Sequence, residues 1–203
     1  IEVSILMRIV NCISGKDFGG SKQAFLDYGR MLEELGYEVH YLVRPNAHCL
    51  PHLKNVPKQR IHVQDYHRTT CPIIQQHSIQ RLHHCLQRIQ PSMIFAHKQI
   101  DLALLKPAYP HAHLIGVIHG FNYKHIEQAD QLIAVSSAVQ TWLKQHTQKP
   151  IHLLANSIKM PAPSPETKPK RPPVIGTMAV FRRKKKIEHL LKACKVLKQR
   201  GHV

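Results

Sequence analysis

The sequence is short of acidic residues, of paired cysteines and of long apolar runs, and each shortage excludes something. No apolar run approaches the roughly 20 residues needed to span a bilayer. The stretch from Ile1 to Leu6 is too short, and lacks the basic start, to be a secretory leader. The five cysteines (Cys12, Cys49, Cys71, Cys85, Cys194) are odd in number and scattered, with no Cys-x-x-Cys. Unpaired thiols in a reducing cytoplasm are the expectation. There is no His-Glu-x-x-His. Of 17 histidines only His83-His84 and His111-x-His113 sit close together, so no metal is expected. The dinucleotide fingerprint Gly-x-Gly-x-x-Gly is missing. Gly15 and Gly20 have Walker A spacing, but Ser21 follows them and Lys22 arrives one residue late. Finally, 12 acidic residues stand against 29 lysines and arginines, a net charge of +17. Such a surface attracts polyanions: nucleic acid, anionic lipid or phosphorylated glycan. Nucleic acid is the least expected of these, because no recognition motif and no basic–aromatic interleaving occur.

What is present is organised around the stretch from Met7 to Val43. Met7 to Ile13 is a short apolar run and predicts a strand. A loop, Ser14 to Gly20, follows. From Ser21 the apolar period becomes helical, with Ala24, Phe25, Tyr28, Met31, Leu32 and Leu35 at steps of three and four. Ser21 is the expected N-cap and Gly36 the expected C′ residue. Val39 to Val43 predicts a second strand. The helix start behind Gly19-Gly20 presents N–H groups and a positive dipole end, an arrangement suited to an anion such as phosphate. The plainer reading is a tight turn that needs glycine.

Strand and helix signals then alternate. Ile61 to Val63 predicts a brief strand, and Tyr66 to Pro72 a loop. A helix is expected from Gln75, with Ile79, Leu82, Leu86 and Ile89 on one face and Pro91 ending it. Met93 to Ala96 predicts a strand, and Ile100 to Leu105 a short helix stopped by Pro107 and Pro110. Leu114 to His119 is the clearest buried strand after the first. Lys124 to Ala129 predicts a short helix, and Leu132 to Val135 and Ile151 to Leu154 two more strands. Between those two, Ser136 or Ser137 caps a helix carrying Val139, Trp142 and Leu143. Short continuous apolar strands alternating with helices imply an α/β fold, a Rossmann-like parallel sheet flanked by helices. Ligands bind such sheets at the carboxyl ends of the strands, where Gly19-Gly20, His119 and Ser136 all fall.

Residues 159–173 break this rhythm with six prolines, four basic residues and no apolar period, the composition of a solvated linker. Val174 to Met178 predicts a fresh strand, and Arg182 to Lys186 forms a five-cation loop. Ile187, Leu190, Leu191, Cys194 and Leu197 predict an amphipathic helix ending near Gly201. The expected organisation is therefore a domain over 1–158, a linker over 159–173 and the start of a second domain over 174–203. Met7 is read as the natural start, and the chain as stopping inside that second domain.

Four patches, in order, resemble GT-B fold glycosyltransferases of the family 4 type. The first joins Phe18 to Gln23 with Leu32 to Val39, similar to the family's Gly-Gly loop and the helix behind it. Ile118-His119-Gly120 resembles its strand-end histidine. Ala129 to Ser136 and Asn156-Ser157-Ile158 resemble its Ala-Asp and Asn-Gly-Val segments. Ile175 to Met178 with Lys184 to Ala193 resembles the opening of its donor domain. The sequence departs from the family at several points. Ala179 and Val180 occupy the family's Gly-Arg positions, Lys186 stands at a glycine position, and Ser157 replaces another glycine.

The resemblance implies a GT-B architecture with an incomplete second domain. It implies transfer of a sugar, with retention, from a nucleoside diphosphate sugar to a glycan or glycolipid acceptor in cell-surface polysaccharide or lipopolysaccharide synthesis. By it, Gly19 and Gly20 bind donor phosphates from one domain, and Lys185, with Arg183 standing in for the family arginine, binds them from the other. His119 is the catalytic-site residue that bonds the reacting sugar, not a nucleophile. Neither a cofactor nor a metal is implied, since amides and cationic side chains stabilise the leaving diphosphate. With the basic surface, it implies a cytoplasmic protein peripheral to an anionic inner membrane face. An inactive remnant and a basic polyanion-binding module are the alternatives.

Overall fold

A computed structural model describes residues 7–67, 69, 71–156, 174–179, 181 and 183–201. The chain divides into two units, Ile1–Ile158 and Lys159–Val203.

The first unit is built on seven parallel strands: β1 (Arg8–Ile13), β2 (Glu38–Val43), β3 (Ile61–Val63), β4 (Met93–Ala96), β5 (His113–Ile118), β6 (Gln131–Ala134) and β7 (Ile151–Leu153). Their order in the sheet is β3-β2-β1-β4-β5-β6-β7. Four helices accompany them: α1 (Gly20–Glu34), α2 (Pro72–Ile89), α3 (Gln99–Ala108) and α4 (Ser137–Lys144). The expected Rossmann-like sheet is thus present.

The strands are apolar on both sides because both faces are covered. Alternation along each strand decides which face a side chain meets. Ile9 and Ile13 of β1, Val39 and Tyr41 of β2, Phe95 of β4 and Val117 of β5 pack with Phe25, Leu26, Tyr28 and Leu32 of α1. Val10 and Cys12 of β1, with Leu42, Ile94 and Leu114, pack with Leu82 and Leu86 of α2, Leu102 and Leu105 of α3 and Val139 and Leu143 of α4. Two glycines allow this packing. A Cβ on Gly29 of α1 would fall on the ring of Tyr41, so the helix seats directly on β2. A Cβ on Gly116 of β5 would stand 3.0 Å from Leu132 and 3.3 Å from Leu102.

Several local expectations are corrected. Ser21 is not the cap of α1: Gly19 is, in extended conformation, and its carbonyl receives the N–H groups of Lys22 and Gln23 at 2.8 and 3.0 Å. Pro72 belongs to the first turn of α2, where its missing N–H costs nothing, rather than to a loop. Pro107 lies inside the last turn of α3, so that helix runs one residue past it and ends before Pro110. The segment around 124–129 forms only a single 3-10 turn, Ile126–Gln128.

In the second unit, residues 174–179 form no strand. A strand needs a ladder partner, and no described residue supplies one. Val174 and Met178 are 83 % and 101 % exposed accordingly. A 3-10 turn, Arg183–Lys185, leads into α5 (Ile187–Gln199), which carries the expected amphipathic period. Lys186, at the position where the resemblance calls for glycine, has φ 52°. That left-handed conformation is the one glycine adopts without a steric penalty. Expectations resting on Val180, Arg182, Ser157, Ile158 and the linker lie outside the described residues.

Candidate functional site

In this topology β1 stands between β2 and β4, so the chain leaves it in one direction and later returns on its other side. The carboxyl ends of β1 and β4 flank the crevice that such a reversal creates. Three polar side chains converge there, all on the α1 face. Asn11 is the middle position of the Ile9–Asn11–Ile13 face of β1. His97 continues the Met93–Phe95 face of β4, and His119 the Ile115–Val117 face of β5. Because Asn11 pairs with Phe95, and Phe95 with Ile115, each partner lies further toward the carboxyl edge than the one before it.

The bonds between them are direct. Asn11 Nδ2 donates to the carbonyl of Phe25 in α1 at 2.7 Å. Its Oδ1 lies 2.9 Å from His97 Nε2, and His97 Nδ1 lies 3.1 Å from His119 Nε2. Asn11 and His97 are buried, at 0 % and 1 % exposure, whereas His119 is only half-buried. The edges of the Phe25 and Tyr28 rings meet His97 at 5.7 and 5.0 Å between centroids and fix its plane. Burial, then His119, Lys98 and Lys22, hold the His97 imidazole well below its ordinary range. Burial, then Lys98, brings His119 down to about 4. Both rings are neutral at physiological pH.

Lys98, next to His97, reaches across to the start of α1, where its amine donates to Ser21 Oγ at 3.1 Å. The hydroxyl expected to cap the helix therefore tethers a cation at the helix entrance. Gly19 and Gly20 sit beside it with open space where a Cβ would be. Gly19 has φ −175°, which any residue adopts; the left-handed glycine of this loop is Gly15, with φ 99°. The turn thus requires glycine at 15, whereas at 19 and 20 what glycine leaves is clear approach to the backbone. Helix geometry gives the amides of Gly20 and Ser21 no acceptor within the helix. The loop is pinned at its base, where Ser14 N donates to Asp101 Oδ2 at 3.0 Å.

Other candidates separate from this cluster. Ser136 is a helix cap, its Oγ accepting from Val139 N at 3.3 Å. Lys22 is buried at 2 % exposure, its amine 3.6 Å from Cys49 Sγ, and so is no phosphate-cradling lysine. Asp130, part of the resemblance, is structural. Lys106 holds both of its oxygens at 2.8 Å and Leu114 N donates to one at 2.8 Å, tying the end of α3 to β5 and β6. Lys185 and Arg183 are exposed residues of the second unit, in the turn before α5. Among the described residues no group of three or more histidine, cysteine or acidic side chains gathers as a metal would need. Nor is any described helix long and apolar enough to cross a membrane.

Solved structures similar to this chain in fold include the apo form of the lipopolysaccharide outer core galactosyltransferase WaaB, at 16 % identity and TM-score 0.63 over 80 % of this chain and 50 % of that one. The domain has the GT-B glycosyltransferase fold. Anabaena HepE (Alr3699), determined with UDP and glucose, matches at 14 % identity and TM-score 0.56, over 75 % of this chain and 45 % of that one. A glycosyltransferase from Rickettsia africae matches at 12 % identity and TM-score 0.61, over 76 % and 44 %. The chain spans about half the length of these GT-B structures. No protein-family model and no curated protein matches its sequence.

The site residues Asn11, His97 and Lys98 escape the sequence reading. A signal for them exists. Asn11 interrupts an apolar strand at a position that faces inward, and His97 and Lys98 immediately follow the last apolar residue of another. Two of the three share strand parity with His119.

Proposed function

We propose that the chain is the acceptor-side part of a glycosyltransferase. It moves a sugar, with retention, from a nucleoside diphosphate sugar to a glycan or glycolipid acceptor of cell-surface polysaccharide or lipopolysaccharide synthesis. The observation that carries this reading is the joining of three features at one strand edge of a GT-B sheet: the entrance of α1 at Gly19-Gly20, the Lys98 ammonium tethered to Ser21, and the neutral His119 imidazole. The first two suit an anion, because oriented amides and a fixed cation stabilise charge on a leaving diphosphate without reorganising. The third suits a sugar hydroxyl. Lys185 and Arg183 are proposed as donor-phosphate ligands of the second unit. The net charge of +17 supports a peripheral, cytoplasmic placement on an anionic membrane face.

The test is to screen nucleoside diphosphate sugars for a rise in Tm and for release of the nucleoside diphosphate with glycan and glycolipid acceptors. The anomeric configuration of any product is then read by NMR. Release that falls about a hundredfold in His119→Ala supports the proposal. No Tm response and no release with any donor overturns it. Equal sedimentation with anionic and neutral liposomes at low salt overturns the membrane placement.

A further inference from the structure

The hydrogen-bond chain from Asn11 to His119 has a direction that the heavy atoms alone determine. Asn11 Nδ2 is committed to the Phe25 carbonyl, so the atom facing His97 is the amide oxygen, which only accepts. His97 Nε2 therefore carries a proton. A neutral ring with a proton on Nε2 has its lone pair on Nδ1, and that nitrogen faces His119 Nε2 at 3.1 Å. His119 must then donate from Nε2, which leaves the lone pair of its own ring on Nδ1. The alternative, an imidazolium at His97 donating in both directions, places a cation in a fully buried position. Lys98 and Lys22 both oppose it there, and the two groups that would receive its protons, the Asn11 amide oxygen and His119 Nε2, are both uncharged.

We propose that Asn11 and His97 are positioning residues that hold His119 as its Nε2–H tautomer, so that Nδ1 of His119 accepts a hydrogen bond from a ligand hydroxyl. The identity of the ligand rests on the glycosyltransferase reading; the relay does not. A nitrogen that only accepts cannot donate to a phosphate oxygen. The site therefore divides its work: phosphate oxygens go to the entrance of α1 and Lys98, and His119 takes a hydroxyl. Asn11 touches no ligand, yet it sets which groups the exposed ring welcomes. The orienting partner of a histidine fixes its tautomer in the same way wherever one ring nitrogen is spoken for.

Asn11→Asp tests this. An ionised carboxylate of the same shape gives up the donation to the Phe25 carbonyl; it accepts from His97 Nε2 as before, but it stabilises an imidazolium at His97. That ring then donates from Nδ1 and forces His119 to accept at Nε2 and carry its proton on Nδ1. Long-range proton–nitrogen NMR on the full chain with labelled histidine reads both tautomers directly. The expected result is His119 with an unprotonated Nδ1 in the wild type and a protonated Nδ1 in the variant. A protonated Nδ1 at His119 in the wild type overturns the proposal, and so does an unchanged tautomer in a folded variant whose new carboxyl is ionised by its carbon-13 shift. A protonated carboxyl, donating to the Phe25 carbonyl as the amide did, leaves the tautomer unchanged and supports the relay. Should the variant not fold, the wild-type spectrum decides alone. Adding UDP-glucose and UDP-galactose separates the two claims. The expected tautomer with a shifted Nδ1 resonance supports both. The expected tautomer with no response to either sugar nucleotide supports the relay and counts against the functional reading.

Discussion

The sheet carries two histidine pairs of nearly identical build, one at each edge. At the carboxyl edge His97 Nδ1 and His119 Nε2 are 3.1 Å apart; toward the amino edge His40 Nδ1 and His62 Nε2 are 2.9 Å apart. In both, the inner ring is anchored through its Nε2, at 2.9 Å to Asn11 and at 3.0 Å to Glu38. In both, burial holds the outer ring at about 4, His119 with Lys98 adding to it and His62 with His40 and Arg88. The anchors differ by one charge. An amide oxygen fixes the proton order along its pair. A carboxylate satisfies a neutral ring and an imidazolium alike, so the Glu38 pair has no enforced direction. That second pair lines a cavity of about 510 Å³ with Arg8, Lys58 and Arg88, on the side of the sheet away from the crevice. Two histidines in contact do not make a functional site; what anchors them decides what the outer ring offers.

The largest expected effect that separates the pairs is on stability. His97→Ala removes the middle of a buried chain and leaves the Asn11 amide oxygen without its donor. A loss of about 3 kcal/mol in urea unfolding is expected, against about 1 kcal/mol for the half-buried His62→Ala. Equal losses would erase the distinction drawn from burial.

Acid comes next. His119 and His62 titrate at about 4 in the folded protein, below the ordinary 6.5. Between those values the unfolded chain binds protons that the folded one refuses. Stability is therefore whole above about pH 6.5, falls as pH drops toward 4, and changes little further below that from these rings. A fall from 6.5 to about 4 is worth about 3 kcal/mol per ring in full; both rings are only partly buried, and solvent screening brings each contribution to of order 2 kcal/mol. Urea unfolding at stepped pH checks this, and His119→Ala and His62→Ala should each flatten the curve.

A smaller effect tells the pairs apart electrostatically. Lys98→Met should raise the His119 pKa from about 4 toward 6.5 and leave His62 in place; Arg88→Met should do the reverse. Histidine NMR titrations read both. A change that spreads to both pairs would show that the field is not local. The smallest effect belongs to Glu38→Gln, which gives the amino-edge pair an amide anchor. Because Glu38 is partly exposed, the stability change should stay under about 1 kcal/mol. The readout is the tautomer of His62. The Arg8 guanidinium beside the other Glu38 oxygen favours the amide oxygen on its side and the amide nitrogen toward His40, so the Nδ1–H form is expected, the opposite of His119.

Much of this fold was legible because parallel strands buried on both faces write themselves as unbroken apolar runs. His113–Ile118 is the plainest example, and Arg8–Ile13 reads the same way apart from Asn11. The ends of elements were harder. Ser21 looks like a cap, but the Gly19 carbonyl already receives the first helical N–H groups, and the serine hydroxyl serves Lys98 instead. The run from Val174 to Met178 has strand composition, yet a strand is a property of pairs, and none of the described residues pairs with it. At the site, His119 was legible from its place at a strand end. Asn11 and His97 were not, since a histidine's meaning lies in partners 86 and 22 residues away along the chain.

The reversal of strand order has a mechanical side as well. β1 meets β2 over six register pairs but β4 over only four. This is the seam between the two halves of the sheet, joined in sequence only by the long excursion through α1, β2, β3 and α2. The Asn11–His97 bond crosses that seam like a clasp. A ligand held at the crevice leans on both sides of it at once. Its binding should therefore slow amide exchange at Asn11, Cys12, Phe95 and Ala96, strand positions that the ligand itself has no need to touch.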